Sequence, residues 1–138
     1  MGPRRRLLSG AVVGTALLIA TVAGCGSDKG GSAAPKLSAA GKEGLAVAKD
    51  QGCVACHTDD GRGGTGPTWK GLAGSTVTLA NGKTVVADDD YLRTAIVDPR
   101  SQVVKGYSNF MPIFDHLSKA EVADLIDYLH DLAPAPTN

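Results

Sequence analysis

The chain has 138 residues, room for one modest domain and not two. Aromatic residues make up only 4% of it, so a compact core must find its large apolar volume elsewhere. Its 14 basic residues are matched by 14 acidic ones, and three of the basic ones, Arg4, Arg5 and Arg6, belong to an N-terminal leader. Without them 11 basic residues face 14 acidic ones, a net of −3, which argues against nucleic acid as a partner.

In chain order, the leader comes first. A basic head, an apolar stretch from Leu7 to Ala23 and a small-residue exit at Val22-Ala23-Gly24-Cys25 read as a secretory signal peptide over residues 1–24. The ending resembles a bacterial lipoprotein box, in which Cys25 is acylated and becomes the new first residue; Val22 stands where the box usually has Leu. An uncleaved membrane anchor is the alternative, although the apolar run is marginal for a span. Either reading places the rest of the chain outside the cytoplasmic membrane. Residues 25–38, rich in Gly, Ser, Ala and Lys, read as a flexible tether.

A first helix is expected over Ala39–Gln51, N-capped by Ser38 and only modestly amphipathic. After Cys53-Val54-Ala55-Cys56-His57, the segment Asp59–Pro67 holds Gly61, Gly63, Gly64 and Gly66 and must turn tightly. Ser75–Val86 alternates around Asn81-Gly82, a strong hairpin signal. Asp88, Asp89 and Asp90 suit the first turn of a helix running to Val97 and ended by Asp98-Pro99; a helix start is preferred here to a metal site. Gly106–Phe114 reads as an irregular loop. Ser118–Leu132 is the clearest helix, with a Ser118/Glu121 capping box and an apolar stripe of Val122, Leu125, Ile126 and Leu129. Residues 134–138 form a short tail.

The chemistry sits in Cys53-x-x-Cys56-His57, the attachment signature of haem c. Two thiols add across the two vinyl groups of one porphyrin, two residues span the distance between them, and the next residue offers its imidazole to the iron. A thioredoxin-type pair would need a βαβ context, a zinc site would need more ligands, and a plain disulfide would leave His57 unexplained. For a second axial ligand the mature chain offers Met111, its only methionine, held in a loop and followed by Pro112. His116 or an open position are the alternatives, whereas His130 reads as a surface residue.

These elements together resemble a class I c-type cytochrome from about Gly41 to Leu132: the Cys53/Cys56/His57 motif, Gly66-Pro67, the helix ending at Asp98-Pro99, Met111-Pro112 with Phe114, and Leu125-Ile126-Asp127-Tyr128-Leu129. Gly66–Leu72 and the hairpin are similar to the haem domain fused to subunit II of caa-type oxidases, here without that subunit's copper domain. The resemblance implies a mostly α cytochrome c fold over residues 39–133, N- and C-terminal helices crossing around one haem, and a small β-hairpin insertion. It implies that His57 is the proximal ligand and donates to the carbonyl of Pro67, that Trp69 packs on the haem, and that the last helix crosses the first near Gly44, where Val47 or Ala48 replaces the family's aromatic. Arg93, Arg100 and Tyr107 become candidates for contacts to the propionates. The function implied is a single-electron carrier, not an enzyme, with redox-protein partners such as a quinol-oxidising complex and a terminal oxidase. A haem subunit of a larger complex, and a haem sensor or enzyme with an open sixth site, are the alternatives.

Overall fold

The computed structural model describes residues 35–133; Cys25, the leader, most of the tether and the tail lie outside the described residues. Three helices, a two-stranded antiparallel sheet and two short 3-10 turns follow in order: α1 (Ala39–Asp50), a turn at Cys53–Ala55, β1 (Thr76–Thr78), β2 (Thr84–Val86), α2 (Asp89–Val97), a turn at Pro99–Ser101, and α3 (Lys119–Asp131).

The starts of all three helices are written into local side chains. Ser38 accepts from Gly41 N, Asp88 accepts from Tyr91 N, and at α3 the capping box is complete, with Ser118 and Glu121 each bonding the other's backbone N–H. The Asp run is therefore a helix start. Asp89 also reaches His130 on α3, Oδ1 to Nε2 at 2.7 Å, which ties α2 to α3 across the surface.

The crossing of α1 and α3 forms the backbone of the fold. The buried face of α1 consists of Gly41, Gly44 and Ala48, and its small residues explain the weak amphipathicity seen in the sequence. A Cβ on Gly44 would lie 1.9 Å from the carbonyl oxygen of Asp124 and 2.9 Å from Cβ of Tyr128. The helices therefore meet backbone to backbone. At the open end of the crossing, the N–H and hydroxyl of Ser38 both donate to Asp131 Oδ2, at 2.7 and 2.8 Å. From α3, Val122, Leu125, Ile126 and Leu129 face inward as the stripe requires, joined by Tyr128 and Leu132.

The hairpin pairs Thr76–Thr78 with Thr84–Val86 and buries Val77 and Leu79. Gly82 closes it with φ +84, its N–H donating to Leu79 O while Leu79 N donates to Lys83 O, so the connection is three residues with glycine in the left-handed position. The hairpin then grips the chain beyond α2. Leu79 bridges Val104, Ala80 N donates to Val103 O at 2.8 Å, and Lys105 N donates to Thr78 O at 2.9 Å.

Gly44→Ala is expected to destabilise the domain by about 3 kcal/mol, because neither backbone can yield without parting the helices. Gly82→Ala, where nothing lies within 4 Å and only the backbone conformation is strained, costs about 1 kcal/mol. Denaturant unfolding followed by far-UV circular dichroism compares the two.

Candidate functional site

The chain enters the site through Gly52, whose φ of +72 turns it off the end of α1 and into the Cys53–Ala55 3-10 turn. The His57 amide donates to Cys53 O at 3.1 Å, so one helical turn carries both thiols and the imidazole. Cys53 is half-buried and burial raises its thiol pKa, whereas Cys56 is exposed. The two thiols are not joined to each other.

Three contacts fix the His57 ring. Its Nδ1 donates to the carbonyl of Pro67 at 2.8 Å. Trp69 stacks on it, with ring centroids 5.0 Å apart and planes 9° from parallel. Gly66 presses against its edge so closely that a Cβ there would lie 2.6 Å from Cε1. Burial holds the imidazole pKa below its ordinary value, partly offset by the bond to Pro67, so the ring is neutral near pH 7. A neutral ring that spends Nδ1–H on Pro67 presents the lone pair of Nε2 to a metal.

The loop that supplies Pro67 is itself pinned. Gly66 N donates to Cys56 O at 2.9 Å, and Trp69 N and the Thr68 hydroxyl both donate to Thr58 O. Asp60 and Arg62 form an exposed ion pair that keeps the Asp60 carboxyl down at about 2, chiefly through hydrogen bonds from Arg62. Trp69 meets Tyr128 edge-on at 5.7 Å, and the Tyr128 hydroxyl donates to Asp59 Oδ2 at 3.3 Å, joining α3 to the turn after the motif.

Cys53, Cys56, His57, Pro67, Trp69 and Met111 all line one cavity of about 220 Å³. Ordinary protein interiors hold few voids larger than a water molecule. Five of the six aromatic residues of the chain (all but Tyr128) line this cavity, and two of them, Trp69 and Tyr91, also belong to the packed core, so the scarce large side chains are concentrated where core and cavity meet. The donor set fits a covalently held haem: two thiols one helical turn apart, a metal-ready imidazole, a soft thioether and an apolar wall.

Of the other sequence candidates, Tyr107 lines the cavity and its hydroxyl lies 2.6 Å from where a Gly63 Cβ would stand, whereas Arg93 and Arg100 are exposed and lie outside the cavity lining. His116 and His130 lie outside it as well, and the described residues hold no cluster of three or more His, Cys, Asp or Glu suited to a metal ion. Sequence reading missed the wall built by α2, from Tyr91, Leu92, Ala95 and Ile96. Leu92 and Ile96, four apart, were the signal for it.

Fold and site together define a protein built to hold one c-type haem. The cytochrome c family model matches residues 41–133, and the chain belongs to that family. Its cofactor is covalently bound haem c. Among solved structures 37 chains match; one is cytochrome cH from Methylobacterium extorquens, 28% identical over 69% of this chain and 98% of that one, with a TM-score of 0.46. No match is found among curated proteins.

The Tyr128 hydroxyl gives a pH test. Burial, and then the nearby charge of Asp59, push its pKa up to about 12. An unfolded chain releases the same proton near pH 10. Between those values the folded state holds more protons, so stability falls as pH rises from about 10 to 12. Unfolding of Tyr128→Phe, measured across that range, is expected to lose this part of the decline.

Proposed function

We propose that this protein is a lipid-tethered carrier of single electrons on the extracytoplasmic face of a bacterial membrane. Cys53 and Cys56 would hold the haem through thioether bonds, and His57 and Met111 would be the ligands to its iron. The observation that carries the reading is the convergence of these four side chains on one apolar cavity. When bound, the haem iron supplies a one-electron couple between ferrous and ferric states.

The chain's own residues make that couple a carrier rather than a catalyst. With His57 and Met111 both as its ligands, the metal would have no position open to substrate. The thioether sulfur of Met111 is a soft donor that favours the reduced state and raises the potential. The wall of Leu92, Ile96 and Phe114 excludes water and disfavours added charge at the metal. The Pro67 carbonyl and the Trp69 stack hold the imidazole in one orientation in both states, which limits structural reorganisation. Cys53 and Cys56 keep the cofactor from leaving a small domain.

Partners are redox proteins met in brief, weak encounters. A quinol-oxidising complex upstream and a terminal oxidase downstream fit the resemblance to the haem domain of caa-type oxidases, and lipid on Cys25 would keep the carrier at the membrane.

The ferric native protein is expected to show the weak charge-transfer band of a methionine–iron bond at the red edge of the visible spectrum. Met111→Ala is expected to lose that band, become high-spin and bind carbon monoxide readily. A native protein without the band would overturn the His/Met assignment. Separately, Cys25→Ser is expected to move the protein from the membrane fraction to the soluble one, checked by fractionation without detergent.

A further inference from the structure

Residues 108–117 carry Met111, and Ser108 to Pro112 together with Phe114 line the cavity. Most of the loop's hydrogen bonds are internal: Phe110 N to Ser108 O at 2.9 Å and Leu117 N to Phe114 O at 3.3 Å. Phe114 anchors it by burial, while Phe110, Pro112 and Ile113 are exposed. Among the described residues one hydrogen bond joins this loop to another part of the chain, between His116 Nε2 and Gln51 Oε1 at 3.1 Å.

The position of Gln51 gives that bond its meaning. Gln51 is the C-cap of α1, lines the cavity, and is separated from Cys53 only by Gly52. Its side-chain nitrogen donates to Asp50 Oδ2 at 3.0 Å, which leaves Oε1 to accept, so His116 donates from Nε2. The bond therefore runs from the loop bearing the thioether to the end of α1, two residues before the first thiol.

We propose that the Gln51–His116 hydrogen bond is a clasp that positions Met111, setting how readily the sulfur is displaced from the iron. The proposal rests on the reading of Met111 as axial ligand. Gln51 and His116 are positioning residues, acting through the loop and not on the metal. Losing one hydrogen bond of this kind changes an opening equilibrium by about three- to tenfold, enough to alter ligand exchange while leaving the fold and the resting coordination intact.

The test uses the ferric holoprotein and imidazole as the competing ligand, with loss of the methionine–iron band as the signal. Gln51→Leu and His116→Leu are each expected to keep the band at rest and to bind imidazole about fivefold more tightly than the native protein. Because both remove the same bond, the double variant should bind no more tightly than either single one. Native affinity in both single variants, or effects that multiply in the double variant, would overturn the clasp while leaving Met111 as ligand. A native protein without the band, or Met111→Ala binding imidazole no more tightly than native, would overturn the ligand reading and the clasp with it.

Discussion

The Nδ1–H of His57 donates to the carbonyl of Pro67, and most of the site follows from what is needed to keep that carbonyl in place. An imidazole presents a usable lone pair on one nitrogen only when the other carries the proton, and a partner for that proton selects the tautomer. Pro67 has no N–H, and its ring restricts the local backbone. Gly66 must precede it because no side chain fits beside the imidazole. Thr58 then accepts from Trp69 N and from the Thr68 hydroxyl, which closes the Gly-rich loop on itself and delivers the Trp69 indole to the imidazole face. Trp69 leans in turn on Tyr128 of α3, so the orientation of one ring is transmitted to the helix that carries the core.

Both ends of the cavity are held by elements that lie outside it. The hairpin takes no part in the helix crossing, yet its backbone bonds to Val103, Val104 and Lys105 fix the chain just before the Met111 loop. The 2.7 Å contact between His130 and Asp89 fixes the start of α2, whose inner face is a wall of the cavity. A small fold with few aromatics thus places rigid supports at its periphery and leaves the centre to the cofactor.

The helices and the hairpin were legible in the sequence because their signals are local. Ser38, Asp88 and Ser118 are capping side chains, and Asn81-Gly82 marks a turn whatever surrounds it. The haem motif was legible for the same reason: its geometry is contained in five consecutive residues. The wall from α2 was not read, since Tyr91, Leu92, Ala95 and Ile96 look the same whether a helix faces a packed core or a cavity. Nor could spacing show that His116, two residues beyond the buried Phe114, meets Gln51 at the end of α1; a contact between residues 65 positions apart is a property of the closed fold. Arg93 and Arg100 are exposed and stand outside the cavity lining, a placement that positive charge alone does not reveal.

The crossing of α1 and α3 carries a consequence for which changes the molecule tolerates. At Gly44 the nearest opposing atom is a main-chain oxygen, that of Asp124. The restriction therefore falls unevenly on the two partners. Position 44 admits no side chain, whereas position 124 lends only its backbone, and at this contact its carboxylate is free to be replaced. A joint built this way is specific by shape and, at position 124, indifferent to side-chain chemistry, so the charge there can change without disturbing the crossing, whereas Asp131 of α3, which accepts from Ser38 at its end, cannot.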